Sequence, residues 1–208
     1  MLSAITAFAI YVIRSFGYAG VGAIVFAESG LMLGFILPGD SLVFLAGLLA
    51  SQGLFNIYVL SILVFVTAAV GDSTGYFIGR KLGRRVFEKR NSFIFNQENL
   101  RRTEAFFERY GKTTFIVQRF IPVIRAFAPL LGGVGKMPYW TFLAFDLAGC
   151  ALWGVGVTVL GYFLGATVPH IDTYLLPIIA AVVVISLIPT FLAYRQNRRS
   201  VAPAERAD

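Results

Sequence analysis

Residues 113–136 read TTFIVQRFIPVIRAFAPLLGGVGK. The stretch is apolar enough to enter a membrane, yet it carries Arg119 and Arg125, is broken by Pro122 and Pro129, and ends in Gly132, Gly133, Gly135 and Lys136. A helix surrounded by lipid accommodates neither unpaired arginines nor internal prolines well. Its flanks decide how it sits. Before it, residues 80–112 hold ten basic side chains against four acidic ones, an excess of +6. After it come two more apolar segments, 139–165 and 174–194, and then Arg195, Arg198 and Arg199. Lys and Arg collect on the cytoplasmic side of membrane segments, so the 80–112 loop and the C-terminus are both expected there. Three crossings between the two clusters would separate them; two would not. Segment 113–135 is therefore expected to be a re-entrant hairpin, entering from the cytoplasm and returning to it, its broken backbone covered by protein or lining a polar cavity.

The first half shows the same pattern. Residues 17–51 are apolar but are interrupted by Glu28, Gly30, Gly34 and Pro38-Gly39-Asp40. Asp40 is expected to cap a second arm starting at Ser41, which makes a second hairpin. The helix after it is expected to run from Ile57 to Ile78 and to end at Gly79-Arg80, at the cytoplasmic loop.

Composition supports a membrane setting. Of 208 residues, 57% are hydrophobic and 14% charged, against about 25% charged in soluble domains. Runs such as 57–70, 147–168 and 175–193 exceed what a soluble core of this size could bury. The fold class is thus an all-α polytopic membrane protein of one domain, residues 1–200, with a disordered tail at 201–208. Within it lie a first repeat (17–80), an amphipathic cytoplasmic linker (80–112), a second repeat (113–165) and a last transmembrane helix (174–194). In the linker, Leu100, Phe106, Phe107 and Tyr110 share one helical face, which suits a helix lying on the membrane surface. The basic loop points to anionic lipid headgroups as partners and not to nucleic acid. A lone Cys150 leaves no intramolecular disulfide and no cysteine-based metal site, and His170 is the only histidine. No metal and no cofactor are expected.

Two internal matches suggest a repeat. Gly20 precedes Glu28 by eight residues, as Gly111 precedes Arg119, an offset of 91 between the halves. Gly75-Tyr76-Phe77-Ile78-Gly79 recurs as Gly161-Tyr162-Phe163-Leu164-Gly165, an offset of 86. The first helix runs inward to Arg80 and the second outward from Lys136, so the two hairpin-plus-helix units are inverted. Paired broken segments in inverted halves point to a substrate site near the bilayer midplane.

The chemistry lies in the intramembrane charges. Left facing lipid, Glu28, Asp40, Arg119 and Arg125 would together cost on the order of 10 kcal/mol. The acidic pair sits in the first hairpin and the basic pair in the second, so tips that meet can pair them; by repeat position Glu28 matches Arg119 best. One reading is purely structural, with the pairs joining the halves. The other is functional: Arg119 and Arg125 bind an anionic group such as a phosphate, which the guanidinium fork suits, while Glu28 and Asp40 gate its release or couple it to protons. Asp72 is either a helix-packing hydrogen bond or a site contact, and Asp146 is expected to be a hydrogen-bonded core residue. Gly71, Gly75 and Gly79, four residues apart on one face, allow close helix packing.

Several ordered motifs resemble one family. Glu28-Ser29-Gly30 with Pro38-Gly39-Asp40-Ser41, then Gly71-Asp72-Ser73-Thr74-Gly75-Tyr76-Phe77-Ile78-Gly79-Arg80, then Arg119-Phe120-Ile121-Pro122-Val123-Ile124-Arg125, then Gly132-Gly133 to Met137 and the helix from Trp153 to Gly161 are similar to DedA proteins. These are also called SNARE-associated or VTT-domain proteins. The resemblance covers residues 17–165. It implies a bacterial inner-membrane protein with two re-entrant hairpins that acts as a flippase or scramblase, moving undecaprenyl phosphate or phospholipids between leaflets, in some members with the proton motive force. The family's acidic pair maps onto Glu28 and Asp40, and its arginine pair onto Arg119 and Arg125, with Pro38, Gly39, Asp72 and Pro122 in support. Glu-Ser-Gly stands here where many relatives have Glu-Asn-Gly.

The expected function is therefore transport of an anionic lipid. The alternatives are a proton- or small-ion-coupled antiporter and, less favoured, an intramembrane enzyme acting on lipid phosphates. The last lacks its residues: one histidine beside Pro169 and no Gly-x-Ser-x-Gly element. No catalytic residue is expected.

Overall fold

The computed structural model describes residues 2–30, 39–83, 104–105 and 107–167. Among these residues the chain is all helical, with no strand. The expected last span at 174–194, the tail at 201–208, Pro38 and most of the 80–112 linker lie outside the described residues.

Helix α1 (Leu2–Gly30) is bent at Gly17, whose φ of +53° and ψ of −132° are open to glycine and strained for other residues. Nothing approaches Gly17 within 4 Å, so its backbone angle and not crowding requires the glycine. Helix α2 (Gly39–Ser51) begins one residue before Asp40, which therefore lies in the first turn and does not cap it. A carboxylate there complements the helix dipole. A short turn leads to Asn56, whose side chain accepts from the backbone N–H groups of Tyr58 (3.0 Å) and Val59 (3.3 Å) and so caps α3 (Ile57–Leu82). This helix runs four residues beyond the expected Ile78. Arg80 and Lys81 suit the negative end of its dipole.

The second half opens with a 3-10 turn (Gly111–Thr113), one turn of α-helix, α4 (Thr114–Val117), and a second 3-10 turn (Gln118–Phe120). Helix α5 (Pro122–Val134) follows. Of the two prolines expected to break the segment, only Pro122 does so; Pro129 lies inside α5. Lys136, at a φ of +53°, turns the chain toward α6 (Tyr139–Cys150), which continues through a π-helical stretch (Ala151–Val155) into α7 (Gly156–Thr167). Among the described residues two helices are long and apolar enough to cross a membrane, Ile57–Leu82 and the continuous Tyr139–Thr167. At 1.5 Å per residue they reach about 39 and 44 Å, against a hydrocarbon thickness near 30 Å. Large apolar side chains stand outward on both, including Tyr58, Ile62, Val66 and Val70 on α3 and Leu152, Leu160 and Phe163 on the other. In a membrane these faces meet lipid.

Packing puts a short helix against a long one twice. Helix α3 packs on α5, and α7 on α2. At each crossing glycines admit the facing backbone: a side chain at Gly79 would strike Leu130 and one at Gly133 would strike Tyr76, while Gly161 lies on Phe44 and Gly47 on Thr158. The short helices correspond at an offset of 86 (130 − 44, 133 − 47) and the long ones at 82 (161 − 79, 158 − 76). The long-helix correspondence is thus one turn away from the offset of 86 read from the repeated Gly-Tyr-Phe motif. Among the described residues the apolar interior includes Val21, Val25, Leu42, Leu60, Val64 and Trp153 in one cluster, and Tyr76, Phe115, Ile124 and Phe142 in another. The buried polar side chains lie where these helices converge.

Candidate functional site

The break in residues 113–135 has a local cause. Proline disfavours the helical region for the residue before it, and Ile121 is extended at φ −124° and ψ 106°. The chain stops there and restarts at Pro122. Arg119 precedes the break and faces α3 and α6; Arg125 follows it and faces the first half. That divergence corrects one expectation, because Glu28 pairs with Arg125 and not with Arg119.

Arg125 is held by carboxylates from α1 and α2. Its Nη2 donates to Glu28 Oε1 and its Nη1 to Asp40 Oδ1 at 2.7 Å. Near the N-terminal end of α5 a cation meets the unfavourable end of the helix dipole, and two carboxylates offset that. A side chain at Gly39 would strike the Glu28 carboxylate and displace it from Arg125, so the glycine leaves that carboxylate its place. The clamp has one open edge: the Glu28 side chain is 3% exposed and Asp40 34%.

Arg119 forms a second centre, fully enclosed. Its Nη2 donates to Asp72 Oδ2 and to Cys150 Sγ (2.8 Å) and lies 3.8 Å from Asp146 Oδ1. Asp146 in turn accepts from Gln118 Nε2 at 3.2 Å and from the Cys150 thiol at 3.5 Å. Asp72 is thus a site contact, and Asp146 is both a hydrogen-bonded core residue and a neighbour of Arg119. Four polar atoms at this centre have no hydrogen-bond partner among the described residues: Arg119 Nε and Nη1, Asp72 Oδ1 and Gln118 Oε1. Asp72, Asp146 and Cys150 place ligand atoms within 4.8 Å of one another, as a metal site would. The Arg119 guanidinium already stands among them as the cation.

One ring joins the centres. The guanidinium carbons of Arg119 and Arg125 each lie 5.3 Å from the centroid of Trp153. This residue is 4% exposed and sits in the π-helical stretch, a distortion common at functional sites. Of the residues singled out in the sequence, Glu28, Asp40, Asp72, Arg119 and Arg125 come together here, and Pro122 makes the break. Pro38 lies outside the described residues. The roles of Gln118, Cys150 and Trp153 were not apparent beforehand. A signal existed: Asp146, Cys150 and Trp153 follow the i, i+4, i+7 spacing of one helical face.

Comparison with known proteins points one way. The VTT domain matches residues 37–163. An uncharacterized membrane protein of Mycobacterium leprae is 45% identical over 85% of this chain and 79% of its own length. One from Mycobacterium tuberculosis is 42% identical over 91% and 83% respectively. Protein DedA of Escherichia coli K12 is 39% identical over 90% of this chain and 86% of its own. No solved structure matches.

Proposed function

The chain belongs to the DedA family of VTT-domain membrane proteins, and from that premise we propose that it moves an anionic lipid, such as undecaprenyl phosphate or a phospholipid, between the leaflets of the bacterial inner membrane. It does so as a transporter and not as an enzyme, with lipid headgroups and protons as its partners. The observation that carries this reading is the convergence of two buried guanidiniums, one clamped by exchangeable carboxylates and the other with Nε and Nη1 unpartnered.

The short helices support re-entrant hairpins. Residues 18–30, α2 and α5 each comprise thirteen residues, about 20 Å of helix, which is too short to cross about 30 Å of hydrocarbon singly. The like-built crossings of α3 with α5 and of α7 with α2 support inverted halves. In that arrangement the basic loop and the C-terminus lie in the cytoplasm.

Chemically, Arg125 is a phosphate site occupied by its own carboxylates. A proton delivered to Asp40, at the exposed edge, and then to Glu28 releases the fork for bidentate contact with a phosphate. Loss of the protons returns the carboxylates and expels the headgroup. Proton and phosphate therefore enter together. A second reading, a proton- or small-ion-coupled antiporter, is favoured by one observation: four carboxyl groups face two guanidiniums. Flux in reconstituted vesicles separates them. A fluorescent short-chain polyprenyl phosphate should cross faster with the protein than without it, and a neutral analogue should not. Proton flux without accelerated lipid exchange would support the antiporter instead.

A further inference from the structure

The lipid reading uses Glu28, Asp40 and the two arginines, and leaves Asp72, Asp146, Gln118 and Cys150 without a role. These side chains are fully buried around Arg119. Ionised, the two carboxylates and one guanidinium would sum to −1 in a site with no exposed surface, and an uncompensated charge there costs several kcal/mol. One cation is missing. Among the described residues two acceptors also lack donors: Asp72 Oδ1, and Gln118 Oε1, whose own amide nitrogen is already bonded to Asp146.

A metal ion fits poorly. Magnesium and calcium take six or more oxygen ligands, whereas the cluster offers two carboxylates, one amide oxygen and the Cys150 thiol. The Arg119 guanidinium also holds Asp72 and Cys150. The smallest cation supplies the missing charge and turns Asp72 Oδ1 from an orphaned acceptor into a donor. We propose that Asp72 and Asp146 share one proton as a carboxylic acid–carboxylate pair, a proton site separate from Glu28 and Asp40. The groups facing it are Arg119, Cys150 and, across Trp153, Arg125, with Glu28 and Asp40 beyond. Its use in transport rests on the lipid reading: with the proton in place one carboxylate holds Arg119, leaving Nε and Nη1 for an anion, and without it two carboxylates compete for the guanidinium.

Infrared spectra of the full chain in lipid vesicles test this without any transport measurement. At neutral pH the wild-type protein, labelled with 13C-aspartate, should show a protonated-carboxyl band shifted by the label. The band should disappear in Asp146→Asn and Asp72→Asn and persist in Glu28→Gln. Absence of a label-sensitive band from the wild-type spectrum would overturn the proposal even if neither variant folds, and so would a band unchanged in both aspartate variants. Because no lipid needs to move, failure here leaves the lipid reading standing, and a protein inert toward lipid can still show the band.

Discussion

Arg119 and Arg125 rest on one indole: each guanidinium carbon lies 5.3 Å from the ring centroid of Trp153. A desolvated cation–π contact contributes about 2 kcal/mol, and truncating a buried tryptophan to alanine costs about 3–5 kcal/mol in lost burial and cavity together. Trp153→Ala should therefore lower the melting temperature well beyond Trp153→Phe, which keeps an aromatic face. Because Trp140 is exposed, Trp140→Phe leaves Trp153 as the sole indole. Its fluorescence should change when a short-chain polyprenyl phosphate is added. An unchanged spectrum at saturating lipid would detach Trp153 from the site.

The clamp on Arg125 predicts an order of stabilities. Removing one partner of a buried ion pair costs about 3–5 kcal/mol, while exposed partners matter far less. Glu28→Gln should destabilise more than Asp40→Asn, given their side-chain exposures of 3% and 34%. Arg125→Ala, which strands both acids, should destabilise most. Melting curves in detergent give the ranking, and a reversal of Glu28 and Asp40 would mean that the clamp is not as drawn.

Two crossings built alike should fail alike. Gly79→Leu and Gly161→Leu each drive a side chain into the backbone of a facing short helix, at Leu130 and Phe44 respectively. Both should reduce folded protein in the membrane severely, whereas Gly156→Ala, with nothing within 4 Å, should not. Abundance of a tagged protein in membranes decides this.

Topology follows from charge. In a Cys150→Ala background, cysteines placed at Ser92 and at Ser200 should both resist impermeant thiol reagent in intact cells and both react once the cells are opened. Labelling of only one from outside would place an odd number of crossings between the two basic clusters.

Periodicity, charge and punctuation carried much of this architecture. The start of α3 and the Tyr139–Thr167 span follow from apolar runs between glycine, proline and basic signals, whereas α3 continues through Gly79-Arg80 to Leu82, and the Ile121 break follows from Pro122 alone. Pairing was less legible, because the choice of Asp72 by Arg119 and of Glu28 by Arg125 depends on the direction the chain takes after Ile121. Trp153 was hidden for a related reason: an aromatic in an apolar run reads as core until its two cationic neighbours, 34 and 28 positions earlier, are brought beside it.

Leaflet exchange measured across an arginine series bears most directly on the proposed transport. In vesicles carrying equal amounts of folded protein, the wild-type chain should accelerate inward loss of a fluorescent anionic lipid over protein-free vesicles. Arg125→Lys keeps the charge but not the fork, so it should lose most of that acceleration at unchanged abundance, and Arg119→Ala and Arg125→Ala should lose all of it. Full exchange by either alanine variant at normal abundance would contradict the phosphate role of the arginines.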